Sequence, residues 1–379
     1  MANTLTNVIP QLLAQGLLAL REMAIMPLLV NRQYETMAGP QGSSIDIPLP
    51  SAVAVQDVTP AATPPSTADQ EPGTVAITLD RWKEAPFYLT DKDMLEVQNG
   101  TLPMMASEAI RSLANEVDQF ILGLGTKFYG VHGTAGTTPF STDISDATQI
   151  RKVLNNQLCP LDNRRLVMNP DAEAEALELR AFHDASFGVG GEAILEGQIT
   201  RRLGFDWYMD QNVQTHTAGA AAGYQTNLGT AATVGTKTLA IDTGSGAFAV
   251  GDIITFANHA QTYVVTASVG GASATSISIE PGLTTAVGDG VAITGPGDTG
   301  GIGTHDLNLA FHRDAIGFVT RPLQASNHPA SIIESAVDPV SGLTLRLEVT
   351  REHKRDRFSY DILYGANVIR RELGARLLG

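Results

Sequence analysis

The sequence predicts an α+β chain with a small all-β domain inserted past its middle. Three observations carry that prediction. Ile110, Leu113, Val117, Phe120, Leu124 and Phe128 recur at three- and four-residue steps, one apolar stripe along a long helix. Around that helix, runs with a two-residue period alternate with helix-like runs. From Gly219 to Gly303 the composition then shifts, and 17 of the 37 glycines fall there among short β-type runs.

The chain has 379 residues, enough for two or three compact units. A net charge of −15 opposes a broad nucleic-acid-binding face. With Cys159 as the single cysteine, neither a disulfide framework nor a cysteine-rich zinc site is available. At the start, Ile9, Leu12, Leu13, Leu17, Leu20, Ala24 and Leu28 follow an amphipathic helical pattern, and Pro27 is expected to kink or end it. The run has no basic leader, and Pro10, Gly16, Arg21 and Glu22 interrupt it, which argues against a signal peptide or a spanning helix. It packs either on its own domain or on a neighbouring subunit.

Ile45, Ile47 and Leu49 alternate as in a strand, and a second such run spans Thr74 to Thr90. Between them, Thr59 to Gly73 is rich in proline and small polar residues and suits an exposed tip. Together these predict a two-stranded projection that needs another surface to lie on. Pro103 then opens the long helix, with Thr101 as its cap, and Pro103 to Tyr129 would run roughly 40 Å at 1.5 Å per residue. "SDATQIRKVLNNQLCP" reads as a helix stopped by Pro160, "RRLVMNP" as a buried strand, and "NPDAEAEALELRAF" as a helix capped by Asn169. "ITRRLGFDWYMDQNV" returns as a strand.

Between Arg202 and Arg313 the only Lys or Arg is Lys237. "KTLAID", "DIITFA", "TYVVTA", "TSISIE" and "GVAIT", set apart by turn residues, predict a small barrel or sandwich. "LNLAFHRDAIGFVTRPL" then resumes the α/β pattern, and "TLRLEVTREHKRDRFSYDILYG" reads as a strand pair. Eight basic residues lie between Arg346 and Arg376, but five acids are interspersed, so a solvated strand pair making subunit contacts is expected rather than a nucleic-acid site.

The sharpest chemical motif is "LAIDTGSGAF", since Asp-Thr-Gly-Ser after apolar residues suits the catalytic loop of an aspartic protease. A second Asp-Thr-Gly begins at Asp298, but the residues before it are "TGPG", not an apolar strand, and 56 residues cannot hold two pepsin-like lobes. Asp242 is therefore expected in a hairpin turn. "GPGDTG", Gly295 to Gly300, matches a dinucleotide-loop spacing but lacks the helix that must follow, and reads as a linker. His132, His183, His216, His259, His305, His312, His328 and His353 are scattered without metal-ligand spacing. No catalytic, cofactor or metal residue is expected.

Taken in order, "MANTLTNVIPQLLAQGLLALRE" with "MPLLVNRQY", "GSSIDIPLPSA", "RRLVMNPDAEAEA", "LNLAFHRDAIGFVTRPL" and "SYDILYGANVIRRELGARLLG" resemble the major capsid proteins of tailed bacteriophages. That is the Hong Kong 97-type fold shared with encapsulins, here most similar to the podovirus-like branch with an insertion domain. The resemblance implies an N-terminal arm at 1–34, an extended loop at 35–92, and a spine helix with peripheral domain at 93–140. It further implies an axial domain at 141–216 and 304–345, an inserted domain at 217–303, and C-terminal strands at 346–379 completing the core. It also implies self-assembly into pentamers and hexamers of an icosahedral shell around double-stranded DNA, with scaffolding and portal proteins, a possible decoration protein, and assembly in a bacterial cytoplasm. Some relatives crosslink a lysine to an asparagine; Lys83 lies in the projection, but no motif here carries that over. An encapsulin-like nanocompartment shell is the nearest alternative, and an aspartic protease centred on Asp242 the competing class.

Overall fold

The structure, a computed structural model, describes residues 24–34, 44–50, 55, 60, 73–92, 101–183, 199, 201–323, 331–337 and 343–379. Residues 1–23 and most of the 59–73 tip, for which the sequence predicts a helix and a projecting tip, lie outside the described residues. The first half runs α1 (Met26–Leu29), β1 (Ser44–Leu49), β2 (Gly73–Thr78), β3 (Arg81–Thr90), α2 (Thr101–Gly123) and β4 (Gly130–His132). Next come α3 (Ser145–Asn156), β5 (Arg164–Met168), α4 (Pro170–Glu178), α5 (Arg180–His183), β6 (Asp206–Met209) and β7 (Thr215–His216). The insertion holds β8 (Gln225–Thr226), β9 (Thr238–Asp242), β10 (Ile253–Phe256), β11 (Tyr263–Val269), β12 (Ser276–Glu280) and β13 (Ile293–Thr294). The chain closes with β14 (His305–His312), β15 (Ile316–Thr320), β16 (Ser331–Val337), β17 (Thr344–Glu352), β18 (Arg355–Val368) and β19 (Gly374–Leu378).

The long helix α2 has the stripe its periodicity predicts. Ile110, Leu113 and Val117 are buried and Phe120 packs partly buried at the edge, while the helix stops at Gly123, so that Leu124 and the extended Phe128, buried in the same core, lie past its end. Opposite it stands a five-stranded sheet in the order β15-β18-β17-β16, with β3 also paired to β18. Leu345, Leu347 and Val349 of β17 and Phe358, Tyr360, Ile362 and Tyr364 of β18 all point into the same core as α2. Each such side chain contributes about 1.5–3 kcal/mol by leaving water, so this layer holds the largest share of the apolar stabilisation.

Two expectations change here. The run Thr74–Thr90 is not one strand: it breaks at Leu79–Asp80, so that β2 pairs with β1 while β3 joins β18, from Arg355 opposite Thr90 to Tyr364 opposite Arg81. The ribbon β1–β2 finds its covering surface inside the same chain, because Ile45, Ile47, Ile77 and Leu79 share a small core with Val319 and Ile369. Pro27 sits in the first turn of α1, where its missing N–H costs nothing, and most of the helix it was expected to kink or end lies outside the described residues.

A second sheet runs β4-β19-β14-β5-β6, with β7 also paired to β14. It cuts across the expected segments. Of residues 304–345, β14 lies in this sheet while β15 and β16 lie in the other, and β19, from the expected C-terminal unit, pairs with both β14 and β4. Strand alternation can show that a segment is extended, but not which distant strand it pairs with. Asn169 caps α4 as its position predicts, with its Oδ1 accepting from the Ala172 N–H at 3.0 Å. Its Nδ2 donates to Asp306 Oδ2 at 2.9 Å and its N–H donates to Asn308 Oδ1 at 2.7 Å, so the cap also ties α4 to β14.

All five predicted β runs of the insertion are strands, in the sheet order β13-β10-β11-β12-β9-β8. A bridge between Gln225 and Ala292, with Thr226 N–H to Val291 O at 3.0 Å and Ile293 N–H to Tyr224 O at 2.9 Å, joins the two ends into a closed barrel. Its core, including Tyr224, Leu239, Ile241, Phe256, Tyr263, Val265, Ile277 and Ile279, is separate from the main core. The "DTGSG" turn is not the hairpin expected: β9 has β8 and β12 on its two edges, so the turn leads out of β9 towards a non-neighbouring strand. Thr243 at φ 62° and Gly246 at φ 85° make the sharp exit.

Because Asn169 both caps and donates, Asn169→Ala should lower stability by about 1–2 kcal/mol in chemical denaturation. Asn169→Asp, an equally good cap in isolation, should also destabilise, because it sets a carboxylate against Asp306. An Asp variant as stable as wild type would contradict the tie to β14.

Candidate functional site

The protease motif dissolves into turn architecture. Asp242 ends β9 opposite Gln225. The Asp298 carboxylate is consumed by backbone donors, taking Gly295 N–H at 2.8 Å on Oδ2 and Gly223 N–H at 2.9 Å on Oδ1. Among the described residues no hydrogen bond links Asp242 to Asp298. "GPGDTG" is likewise a turn, closed by Asp298 N–H to Gly295 O at 3.1 Å and Gly301 N–H to Asp298 O at 2.9 Å.

On the strand pair β17–β18, Arg346, Arg351, Arg355 and Arg357 each meet an acid. Arg346 forks onto Asp361, which also accepts the Trp82 indole N–H at 2.9 Å, and the guanidinium lies 5.8 Å from the Trp82 ring centre. Arg357 reaches Glu84 at 2.7 Å, and Arg351 bridges Asp91 at 2.7 Å and Asp356 at 2.9 Å. Hydrogen bonding to Arg351 holds the Asp91 carboxyl below its ordinary value. Lys83 pairs with Glu116 of α2 at 2.7 Å. Alternation sets Arg346, Asp361, Trp82, Glu84 and Arg357 on the face away from α2, whereas Lys83 and the Arg351–Asp356 pair share the parity of Ile362 and Leu89 on the α2 side, and cross-strand pairing neutralises both sets.

Where the barrel meets the second sheet, the structure assembles a buried polar junction from residues far apart in sequence. Arg376 of β19 is fully buried; its Nη1 donates to Gly251 O of the barrel at 2.7 Å, and its Nη2 to Thr126 O. Asp252 accepts from His216 Nε2 at 3.0 Å, Ala249 N–H at 2.7 Å and Gly219 N–H at 3.2 Å. His216 and His305 are cross-strand partners with ring centres 5.3 Å apart, and His305 Nδ1 bonds Gly303 O at 2.8 Å. Thr262 adds a bond to Tyr129 O at 2.6 Å. Burial pushes Arg376 down to about 9 and, with Arg376 and His216 as lesser causes, His305 down to about 4. The pairing of His305 with His216 had no local signal, since β7 and β14 are separated by the whole barrel.

The depressed His305 value sets a sign. The unfolded chain takes up this proton near pH 6.5, and the folded chain only near 4. Stability is therefore full above about 6.5 and falls as pH drops towards 4, by up to about 1.4 kcal/mol per pH unit. His305→Asn, which keeps a donor for Gly303 O, should lose less stability than wild type between pH 7 and 4.5 in denaturant titrations. Parallel losses in the two proteins would contradict the buried neutral imidazole.

No family model matches the chain, and no curated protein matches it in sequence. Solved structures do match. A chain from Mycobacterium phage Che8 superposes with a TM-score of 0.53 at 15% identity, covering 93% of this chain and 90% of that one. A chain from the capsid structure of cyanophage P-SCSP1u superposes with a TM-score of 0.52 at 12% identity, covering 94% and 88%. The likeness is one of fold and spans nearly the whole length. With its spine helix, its two sheets and its barrel between β7 and β14, the chain has the α+β Hong Kong 97-type capsid fold.

Proposed function

We propose that this chain is a major capsid protein that assembles with copies of itself into an icosahedral shell enclosing the double-stranded DNA of a tailed bacteriophage. The observation that carries the reading is the match of fold over more than nine-tenths of the chain to phage chains of comparable length. In this reading residues 1–34 are the arm and 35–92 the extended loop, of which Ala24–Leu29, the ribbon β1–β2 and strand β3 pack on this chain itself. Residues 93–140 form the spine and peripheral domain, 141–216 with 304–345 the axial domain, 217–303 the insertion, and 346–379 the closing strands. Scaffolding, portal and decoration proteins are the further partners, with assembly in the host cytoplasm.

The electrostatics agree with this role. A net charge of −15, with Arg346, Arg351 and Arg357 already paired to acids, disfavours binding of a phosphate backbone, which favours a wall against which DNA packs without adhering. The role is structural rather than enzymatic, and "DTGSG" serves the barrel.

Expressed alone or with its neighbouring genes, the chain should sediment at megadalton size, and Asp242→Asn should leave that size unchanged. Particles protecting DNA from nuclease support the phage reading, whereas particles filled with a protein cargo would favour a nanocompartment. A monomer or dimer that cleaves peptides at low pH, with activity lost on Asp242→Asn, would overturn both.

A further inference from the structure

Asp118 lies in the middle of α2 with no exposed surface. Its carboxyl takes the Met26 N–H on Oδ1 at 3.0 Å and the Ile25 N–H on Oδ2 at 3.2 Å. These are donors at the start of α1, where Ile25 offers no side-chain cap of its own. A carboxyl more than ninety residues away therefore caps α1. Arg165 holds the other end through the Leu28 and Leu29 carbonyls, and Asn31 continues onto β15 through Ile316 O at 3.0 Å and Phe318 N–H at 2.9 Å.

A second acid faces the same stretch of helix. Asp210 is 2% exposed; its Oδ1 takes the Asn212 N–H at 2.8 Å, but its buried Oδ2 has no partner among the described residues. Asn212 is tied to α2 on both sides of Asp118, to Asn115 Oδ1 at 3.3 Å and to Gln119 Nε2 at 3.4 Å. A buried carboxylate oxygen without a donor is costly, and a proton on the neighbouring acid removes the cost.

We propose that Asp118 and Asp210 share one proton, and that this proton latches Ala24–Leu29 onto the spine helix, so that the latch tightens in mild acid and loosens as pH rises.

Burial first, and the charge of Asp210 second, push the Asp118 carboxyl up to about 8, and burial also raises Asp210. The other charges around the pair are engaged elsewhere. Arg81 of β3 stacks 4.8 Å over Phe120, Lys83 pairs with Glu116, and Asp306 of β14 accepts from Thr215 and Asn169. The segment Ala24–Leu29 brings only backbone and apolar groups, and Arg165 works at its far end. Among the described residues no cation bonds either carboxyl.

The sign follows. Once the segment lifts away, Asp118 returns towards its ordinary value near 4, so the open state sheds a proton that the latched state keeps up to about 8. Latching thus weakens by about tenfold per pH unit across that interval and levels off above it. Hydrogen exchange of the full-length chain at pH 5 to 9, corrected for intrinsic rates, tests this. Protection of the Ile25 and Met26 amides should fall about tenfold per unit up to about pH 8 and then level, while amides in the middle of α2 hold steady. Asp210→Asn should bring the levelling to a lower pH, and Asp118→Asn should flatten the profile. Wild-type protection that is constant from pH 5 to 8 would overturn the proposal. So would an Asp210→Asn profile that superposes on wild type, which decides the matter even if Asp118→Asn does not fold.

Discussion

The pairing between α2 and β18 is the contact on which the remaining elements depend. An apolar stripe running from Ile110 to Phe128 cannot face water, and the surface that covers it comes from Phe358, Tyr360, Ile362 and Tyr364 with their β17 neighbours. β18 is long enough to pair with β3 over its first ten residues and with β15 over its last five, while β17 takes the opposite edge. Gly365 permits this, because a side chain there would strike the Thr78 backbone as β2 passes over the sheet. The ribbon β1–β2, the N-terminal segment and the second sheet are all placed relative to this layer.

The barrel is organised differently. It closes on itself and holds its own core, so it does not need the sheets for its apolar burial. What joins it to them is polar: the Arg376 fork, the Asp252 clasp around His216 and the Gly219 and Ala249 amides, and the Thr262 bond. Such a joint fixes orientation through directional bonds, and losing one partner leaves a buried charge exposed to its full desolvation cost. An insertion that is nearly free of basic residues can therefore be carried as a separate module without disturbing the sheet beneath it.

How far the sequence was legible follows from what each signal encodes. The Asn169 cap, the five β runs of the barrel and the stripe of α2 as far as Phe120 are local patterns and appear where they were read, whereas the helix stops at Gly123, short of Leu124 and Phe128. The break at Leu79–Asp80 was not legible, because β2 and β3 share one alternation and differ only in their partners. Asp242 was expected in a hairpin turn but ends strand β9, and the turn after it is not a hairpin, since the pairing of β9 with β8 and β12 is a property of the whole barrel. The junction of Arg376, Asp252, His216 and His305 and the pair Asp118–Asp210 had no sequence signal at all. Each is built from residues brought together by long-range pairing, and each looks like an ordinary surface charge in the chain.

The most direct test of the central claim is an electron cryo-microscopy reconstruction of the assembled chain. The account predicts rings of five and six subunits in a closed icosahedral shell, each subunit with α2 packed on the β18 sheet and the barrel standing on Arg376. A filament, an open sheet or an isolated dimer as the only ordered assembly would contradict it.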